Sequence, residues 1–579
     1  MKTRQNNLKV SFFILLINCC HLLIRSENVE DYSSYSYRVR PNIIVIIADD
    51  LGWNDVSFNG ADQIPTPNID ALAYNGVILN KHYVLPTCTP SRTAFLTGYH
   101  PIRQGMEGVP LKAGEKRAIP KRYKLLPEYL KDLGYSTHLV GKWHVGYYAP
   151  RYTPTRRGFN TYFGYYNGYI QYFNHTTPEI KSNMHLGHDL HRDKPNKLSP
   201  DFSTGYMTDL ITEEAEKIIS NHDPATPLYL QIAHLAMHAS GLDNGEELQV
   251  KDMKKVNDTF GYIKDINRRK LAGVINSLDQ SVGRVVDALS KADLLNNSII
   301  LYFSDNGAQT IGMLQNHGSN YPLRGLKFTT YEGGVRSASC IYSPLIKKPS
   351  TISNQLIHIT DWLPTLYSAA GGNLNNLKNF DGIDQWNTIK KGRRSKRNSI
   401  LLNIDNKIKD EAAIIGNYKL LKNSNYYNYD GYFGDNGTDS SYPKYKTLDV
   451  ISSLAGRAIS TVAKKKLTSE KIHELRQSTK VTCKHPNNLM DCTDHCLFDL
   501  STDPCETTDI SKYYPKITVH LRNYIDVYRK VVVNQTYNGV DPRSYPEHFN
   551  GTWMPWISDD LDDLEMNYKK EFLKINLSV

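Results

Sequence analysis

The sequence predicts an α/β protein built on a large, mainly parallel sheet flanked by helices, with a smaller α+β domain at its C-terminal end. Short unbroken runs of apolar, often β-branched residues are typical of strands buried on both faces of a parallel sheet. Amphipathic helical patterns separate these runs, and such alternation is typical of crossover connections between parallel strands. The composition, 40% hydrophobic and 22% charged over 579 residues, excludes a wholly disordered or collagen-like chain.

Four strands are expected in the first part of the chain. The first is the apolar run 43–48 (I-I-V-I-I-A). A helical stripe of Leu126, Leu130 and Leu133 precedes a second strand at 135–140. Helical stripes within 210–219 and 278–289 precede strands at 228–233 and 299–303. Each helix is long enough to connect two parallel strands of one sheet.

The chain changes character after a basic run at 390–397 (K-K-G-R-R-S-K-R). Beyond it the sequence is rich in Tyr, Lys and Asn and its strand-like runs are shorter. We therefore expect a catalytic domain over 41–405 and a smaller domain over 406–579. The basic run itself is either an exposed surface loop or a site for a dibasic protease.

The N-terminus predicts a secretory signal peptide over residues 1–26, followed by a flexible lead-in over 27–40. Basic residues precede an apolar stretch at 10–24, which is short for an uncleaved membrane anchor. The net charge of +10 falls to +6 without the leader, because Lys2, Arg4, Lys9 and Arg25 leave with it. No later segment reads as a membrane span. This mild positive charge is consistent with a sulfated partner or with basic surface loops that bind nothing. It is not evidence for binding of nucleic acid.

The cysteines and glycosylation motifs fit a secreted chain. Cys483, Cys492, Cys496 and Cys505 form an even cluster, which indicates two disulfides in any of three pairings, with a zinc site as the alternative. Cys340 lies in an apolar run and should be buried. Seven N-x-S/T motifs are candidate glycosylation sites. They are Asn174, Asn257, Asn296, Asn436, Asn534, Asn550 and Asn576.

Polar residues follow each of the four expected strands. They are Asp49 and Asp50, Lys142 and His144, His238, and Asp305 and Asn306. One such residue alone would be explained by a helix cap or a turn. Four sets together predict a site, because ligands bind beyond the carboxyl ends of parallel strands. The acids and Asn306 offer only oxygen ligands, which favours Ca²⁺ or Mg²⁺ over Zn²⁺.

Residues 88–98 (C-T-P-S-R-T-A-F-L-T-G) resemble the signature of the sulfatase family, Cys-x-Pro-x-Arg followed by Leu-Thr-Gly. The resemblance extends over most of the chain. Further matching segments are 42–53, 141–146 (G-K-W-H-V-G), 304–307 (S-D-N-G), 321–335 and 358–366. The sequence of residues 321–335 is most similar to that of the arylsulfatase B branch, whose members remove the 4-sulfate of N-acetylgalactosamine in sulfated glycans.

This resemblance implies an alkaline-phosphatase-like sulfatase fold in which a formylglycine-generating enzyme oxidises Cys88 to formylglycine. One Ca²⁺ per chain would be held by Asp49, Asp50, the modified Cys88, Asp305 and Asn306. The implied catalytic residues are Cys88, Arg92, Lys142, His144, His238, Asp305 and Lys327. Lys142, His238 and Lys327 would also contact the substrate. His234 is the less favoured alternative to His238.

The expected activity is hydrolysis of a sulfate ester. A hydroxyl of the hydrated formylglycine would attack sulfur, with Asp305 accepting its proton and His238 protonating the leaving group. His144 would then deprotonate the second hydroxyl, which releases sulfate. Arg92 would hold the diol and brace the metal ligands, while Lys142 and Lys327 would stabilise the transition-state charge.

Two classes of substrate are consistent with the sequence. We expect a sulfated glycan of the N-acetylgalactosamine 4-sulfate type or a small sulfate ester such as a glucosinolate, in a secreted or lysosomal enzyme. Residues 169–200 and 234–241 depart from the family pattern and are expected to border the substrate pocket. The alternatives are a phosphatase or phosphonate hydrolase of the same superfold, and an inactive protein that binds sulfated glycans.

Overall fold

The structure is a computed structural model that describes residues 40–179, 185–240, 246–424, 428–437, 439–486, 488–535 and 539–563. The expected signal peptide, the lead-in up to residue 39 and the glycosylation motif at Asn576 lie outside the described residues.

A nine-stranded sheet forms the centre of the larger part of the chain, in the order β12-β2-β11-β10-β1-β9-β4-β5-β8. Its strands are β1 (Asn42–Ala48), β2 (Val77–Leu79), β4 (Ser136–Lys142), β5 (Thr161–Tyr165), β8 (His191–Asp193), β9 (Leu228–Ala233), β10 (Ser298–Ser304), β11 (Ser339–Tyr342) and β12 (Thr351–Ser353). Two small pairs are formed by β3 (His82–Tyr83) with β13 (Ile357–His358) and by β6 (Thr176–Pro178) with β7 (Leu186–His188).

The four strands expected from sequence are neighbours in the middle of this sheet. β1 pairs in parallel with β10 on one side and with β9 on the other, and β9 pairs in parallel with β4. Antiparallel neighbours occur only toward the sheet margins, at β11 and β8. The expected large, mainly parallel sheet is therefore confirmed, and the carboxyl ends of β4, β9, β1 and β10 share one edge.

Helices cover both faces of the sheet. The α-helices of the described chain are α1 (Pro67–Asn75), α2 (Cys88–Thr97), α3 (Leu126–Asp132), α4 (Met207–Ser220), α5 (Met253–Phe260), α6 (Ile266–Lys291), α7 (Glu332–Val335), α8 (Trp362–Ala369), α9 (Trp386–Lys391), α10 (Thr447–Ser452), α11 (Leu454–Val462), α12 (Ser469–Thr479) and α13 (Pro515–Arg529). None of the helices in the described part of the chain combines the length and apolar content needed to cross a bilayer.

The side chains of β1 show why the strand is apolar throughout. Ile44 and Ile46 pack into the core that contains α4 and α6, whereas Ile43 and Val45 pack into the opposite core with α2 and α8. Alternate residues of a strand point to opposite faces, so a strand covered on both faces needs apolar residues at every position. Because β1 is buried on both faces, polar side chains can be placed only at its end.

A second, antiparallel sheet lies toward the C-terminus, in the order β14-β15-β16-β17. Its strands are β14 (Ser399–Asp405), β15 (Asp410–Ile415), β16 (Tyr418–Lys422) and β17 (His495–Asp499). Helix α13 packs on it through Leu521 and Ile525. This sheet takes in the last seven residues of the expected catalytic domain, and we propose the domain boundary ahead of Ser399. The segment α10–α12 instead packs its apolar face on the core of the nine-stranded sheet.

The clustered cysteines form disulfides Cys483–Cys505 and Cys492–Cys496. These bonds select one of the three pairings left open by the sequence, and they leave no thiolate of the cluster to bind zinc. Cys340 is a buried free thiol on β11, as expected. The asparagines of six of the seven glycosylation motifs lie in described residues, and each of these six is exposed.

Candidate active site

Three carboxylates meet at the carboxyl edge of the central strands. Ala48, the last residue of β1, lies opposite Ser304, the last residue of β10, so the residues that follow the two strands are adjacent. Carboxylate oxygens of Asp49, Asp50 and Asp305 lie within 4.8 Å of one another, and all three residues are fully buried. Buried like charges at this spacing require compensation by cations.

Three basic side chains compensate the three acids. Lys142 Nζ lies 2.7 Å from Asp49 Oδ2, and Lys327 Nζ lies 2.8 Å from Asp50. Arg92 donates to Asp305 Oδ2 through Nε at 3.0 Å, with its terminal NH2 group at 2.8 Å. Three cations against three carboxylates make the cluster formally neutral before any metal or substrate binds.

Burial acts to raise the pKa values of both Asp49 and Asp50, but the charged partners of these two acids differ. Burial raises the pKa of Asp49 to about 7 even though Lys142 lowers it. For Asp50, burial is outweighed by Lys327 and His238, which lower its pKa to about 2. Burial therefore disfavours the ionised form of Asp49, and an additional positive charge nearby would favour it.

The donor set fits a hard divalent cation. Asn306 donates through Nδ2 to Asp50 Oδ1 at 2.6 Å, and its Oδ1 is buried without a hydrogen-bond partner. Asp49 Oδ1 is also buried without a hydrogen-bond partner. Two orphaned buried oxygens beside three carboxylates are the donors that Ca²⁺ or Mg²⁺ takes, whereas zinc prefers nitrogen and sulfur donors.

Cys88 is the first residue of helix α2, with Thr87 at the N-cap. Its side chain is 1% exposed and unpaired. Arg92 lies one helical turn further on, and residues four apart on a helix share a face, so both point toward the acidic cluster. Burial raises the pKa of the Cys88 thiol, although Lys142 and Lys327 act in the opposite direction. An unmodified thiol here would therefore be a poor nucleophile.

His144 is held in one tautomer. Its Nε2 lies 2.8 Å from the carbonyl oxygen of Leu111, which can only accept, so the proton is on Nε2. Nδ1 is buried without a hydrogen-bond partner. Burial and then Lys142 hold the pKa of His144 well below its usual range. The imidazole is therefore neutral, with the Nδ1 lone pair available to accept a proton.

His238 presents its other nitrogen to the cluster. Its Nδ1 donates to the carbonyl oxygen of Ala239 at 2.7 Å, and Nε2 lies 3.6 Å from Asp50 Oδ2. Burial, with a contribution from Lys327, lowers the pKa of His238 to about 3, while Asp50 acts to raise it. The structure brings His238, and not His234, to the acids, because His234 Nε2 lies 3.2 Å from Ser281 Oγ on helix α6.

Sequence reasoning missed residues that hold the cluster together. Asn316 donates through Nδ2 to the carbonyl oxygen of Asp50 at 2.8 Å and also contacts the carbonyl oxygen of Met237 at 3.3 Å. It thereby ties the loop after β1 to the loop after β9. Leu111 contributes only a backbone carbonyl, and Asn316 stands in a loop without periodicity. No local pattern in the sequence marks either residue.

The chain is similar to known proteins in sequence and in fold. A family model described as Sulfatase matches residues 41–372. Arylsulfatase J from Mus musculus is 35% identical over 525 residues, which cover 90% of this chain and 81% of that protein. N-acetylgalactosamine-6-sulfatase from Mus musculus is 31% identical over 369 residues, covering 62% and 68% respectively. The crystal structure of Ps i-CgsB in complex with k-i-k-neocarrahexaose superposes with a TM-score of 0.65 at 24% identity, covering 88% of this chain and 96% of that chain.

Proposed function

Because the chain belongs to the sulfatase family and is a sulfuric ester hydrolase, we propose that it acts through a formylglycine made from Cys88 and one bound Ca²⁺, releasing inorganic sulfate. The observation that carries this proposal is the buried cluster of Asp49, Asp50 and Asp305, whose oxygens lie within 4.8 Å of one another. Cys88 lies within electrostatic reach of Asp49 and Asp305.

Asp49, Asp50, Asp305 and Asn306, together with the modified Cys88, would hold the cation. When bound, the cation supplies Lewis-acid stabilisation of the sulfate oxygens. The hydrated aldehyde of formylglycine supplies an oxygen nucleophile in place of the thiol. Only oxygen ligands are involved, which supports Ca²⁺ or Mg²⁺ at this position.

Lys142, Lys327 and Arg92 supply fixed positive charge around the sulfate group. Each pairs with one carboxylate within 3.0 Å, so their positions are set before substrate binds. Preorganised charge of this kind stabilises the transition state without a reorganisation cost at the moment of reaction. Arg92 also braces Asp305, the residue proposed to accept the first proton.

The two histidines have different proposed roles because their hydrogen bonds differ. His144 donates from Nε2 to Leu111 and keeps a lone pair on Nδ1, which suits a base. His238 donates from Nδ1 to Ala239 and must gain a second proton on Nε2 to protonate a leaving group. Asp50, 3.6 Å from that nitrogen, favours this second proton.

For the substrate we propose a sulfated glycan carrying N-acetylgalactosamine sulfate, of the 4-sulfate type expected from the sequence or the 6-sulfate type. The relative named N-acetylgalactosamine-6-sulfatase supports this class of sugar. The cluster is almost closed, with His238 and Lys327 at 3% and 4% exposure, so the sulfate group must enter a narrow opening. A small sulfate ester such as a glucosinolate remains the second candidate.

We also propose that the protein is a secretory-pathway glycoprotein that is secreted or lysosomal. Two disulfides support this location, because such bonds persist in oxidising compartments. The exposed asparagines of six glycosylation motifs support it as well. The formylglycine-generating enzyme is then its partner during maturation. The mass of the Asn174, Asn257 and Asn296 peptides before and after glycosidase treatment tests the glycan assignment.

The central test is mass spectrometry of the peptide that contains Cys88, from protein made in a host with a formylglycine-generating enzyme. We expect the aldehyde at Cys88 and an unmodified thiol at Cys340, the matched buried control. Hydrolysis of p-nitrophenyl sulfate should be lost in Cys88→Ala, kept in Cys340→Ala, and reduced by chelation of Ca²⁺. An unmodified Cys88 together with faster hydrolysis of p-nitrophenyl phosphate would overturn the proposal and favour a phosphatase.

The substrate class is tested with a panel of sulfated monosaccharides, glycosaminoglycan oligomers, glucosinolates and steroid sulfates at acid and neutral pH. The proposal expects the highest kcat/KM for an N-acetylgalactosamine sulfate. A higher kcat/KM for a glucosinolate or a steroid sulfate would contradict the glycan assignment while leaving the sulfatase chemistry intact.

A further inference from the structure

A cluster of cationic side chains lies on the surface far from the acidic cluster. It combines two stretches of the chain, 343–356 and 385–399, which together contain eight Lys and Arg and no Asp or Glu. Seven of these cations form what we call the basic surface. They are Lys347, Lys348, Lys390, Lys391, Arg393, Arg394 and Lys396.

The two stretches lie side by side in the structure. The backbone N–H of Lys347 donates to the carbonyl oxygen of Lys390 at 2.8 Å, and the N–H of Ser395 donates to the side-chain oxygen of Gln355 at 2.9 Å. The fold therefore brings together charges that lie more than 40 residues apart in sequence. Like charges held together in this way repel one another, although water and salt screen exposed charges, and a bound polyanion would relieve this repulsion.

The cations of the basic surface form no ion pairs within the described chain, although Lys396 attracts the carboxylate of Asp384, which lies directly before the second stretch. None of the seven is within ion-pair distance of a carboxylate of the described residues, whereas Arg397, the eighth cation, pairs with the buried Asp361. Five of the seven are exposed, and Lys390 and Lys391 are half-buried in the last turn of α9. Two cations of the basic surface thus pack partly against the protein, but the other five face solvent.

The basic surface lies at one end of the strands of the nine-stranded sheet, and Cys88 and the acidic cluster lie at the other end. β11 runs antiparallel to β10, so Tyr342 at its end lies opposite Ile300, near the start of β10, whereas Asp305 follows the end of β10. The stretch 343–356 continues from β11 at that far edge. A ligand bound here does not occupy the acidic cluster.

We propose that the basic surface is a second binding site, for a sulfated glycan chain of the glycosaminoglycan type, separate from the site at Cys88. Sulfate esters stay ionised at acid and neutral pH, as do Lys and Arg, so the attraction persists across secretory compartments. The proposal shares a ligand class with the proposed function but does not depend on turnover. Trp386, the one aromatic residue of the two stretches, is 7% exposed, so the surface lacks the stacking platform that single-stranded nucleic acids use.

The test measures binding of the purified full chain to immobilised chondroitin 4-sulfate at about 50 mM and about 150 mM NaCl. The surface variant replaces Lys347, Lys348, Arg393 and Arg394 with Gln. A matched control replaces four exposed lysines elsewhere with Gln, which changes the net charge equally. These are Lys444, Lys464, Lys465 and Lys466.

We expect the Kd of the surface variant to rise about tenfold or more and its salt dependence to flatten, because fewer counterions are released on binding. The control should stay close to the unmodified protein, and hydrolysis of p-nitrophenyl sulfate should be unchanged in both. If the Kd rose equally in both variants, the loss of binding would be explained by net charge alone, and the proposal would be overturned. Tighter binding of single-stranded DNA than of chondroitin sulfate would also overturn it.

The same measurements separate this inference from the proposed function. Absence of p-nitrophenyl sulfate hydrolysis in the unmodified protein would contradict the proposed chemistry at Cys88. The binding of chondroitin sulfate to the variants could still be compared. Normal hydrolysis with no chondroitin sulfate binding would contradict the basic surface alone.

Discussion

The phenol ring of Tyr169 lies against the imidazole of His238, with ring centroids 5.3 Å apart and planes 10° from parallel. Tyr172 donates from its hydroxyl to the carbonyl oxygen of His238 at 3.1 Å. On the other side of the same segment, an added Cβ at Gly168 would lie 2.9 Å from His144 Cε1. One short stretch after β5 therefore lies against both histidines of the site, and Tyr169 and Tyr172 belong to the region 169–200 that departs from the family pattern.

Replacing Tyr169 tests this contact. Tyr169→Leu should free the His238 ring and slow hydrolysis of a sugar sulfate about tenfold more than hydrolysis of p-nitrophenyl sulfate, because a poor leaving group depends more on a general acid. Tyr169→Phe keeps the ring and should retain the ratio. Steady-state kcat/KM for the two substrates provides the measurement. Equal losses on both would assign Tyr169 a purely structural role.

Lys327 is predicted to act on the sulfate group as well as on Asp50. Lys327→Met should lower kcat for p-nitrophenyl sulfate by about 10²–10³-fold, the usual effect of removing one preorganised transition-state donor. Lys465→Met, an exposed lysine, serves as the control and should change kcat by less than about twofold. A loss below about tenfold in Lys327→Met would remove this residue from the proposed mechanism.

A buried ionic group joins the C-terminal sheet to the segment that carries Lys327. Lys419 Nζ on β16 lies 3.0 Å from Glu332 Oε1 and 2.8 Å from Glu506 Oε1, and all three side chains are fully buried. Lys419→Met should lower the free energy of unfolding by about 3–5 kcal/mol, because it leaves buried carboxylates uncompensated. Denaturant titration provides the measurement.

Two further variants sharpen that prediction. Lys422→Met, on the same strand but half-buried, should change the free energy of unfolding by no more than about 0.5 kcal/mol. The double variant Lys419→Met with Glu506→Gln should recover part of the loss, because one uncompensated carboxylate is removed. Equal stability of Lys419→Met and Lys422→Met would contradict the role of the buried group.

Asp410 predicts a pH dependence of stability that is independent of the active site. It lies on β15, accepts from Asn403 Nδ2 at 2.7 Å and contacts Thr330 Oγ1 at 3.0 Å. Burial raises its pKa from 3.8 to about 7. Between these two values the folded state holds a proton that the unfolded state releases, so Asp410 loses stabilising effect as pH rises through this window.

Asp410→Asn should remove that contribution. The free energy of unfolding of the unmodified protein, relative to the variant, should fall between pH 4 and pH 7 with a slope of at most about 1.4 kcal/mol per pH unit, the limit for one proton. Asp449→Asn, an exposed acid on α10, is the control and should leave the pH profile unchanged. A difference between the unmodified protein and Asp410→Asn that rises with pH would reverse the predicted sign.

Much of the site could be predicted from the order of residues along the chain. Asp49, Asp50, Asp305 and Asn306 lie within three residues of the end of an apolar run, and parallel strands bring their carboxyl ends to one edge. The pairing of Ala48 with Ser304 is the expected consequence. The choice between His234 and His238 was less certain from sequence, because it depends on how the loop after β9 turns.

By itself the sequence determined the strand and helix alternation, the composition of the acidic cluster and the cysteine proposed for modification, since these depend on periodic burial and on short contiguous motifs. Tertiary structure alone decided the two disulfide pairings, the packing of α10–α12 on the larger sheet, the contact of Tyr169 with His238 and the union of two stretches in the basic surface. Apart from the Cys492–Cys496 disulfide, whose cysteines lie four residues apart, each of these joins segments that are not neighbours along the chain. Packing between distant segments selects such partners where no local pattern specifies them.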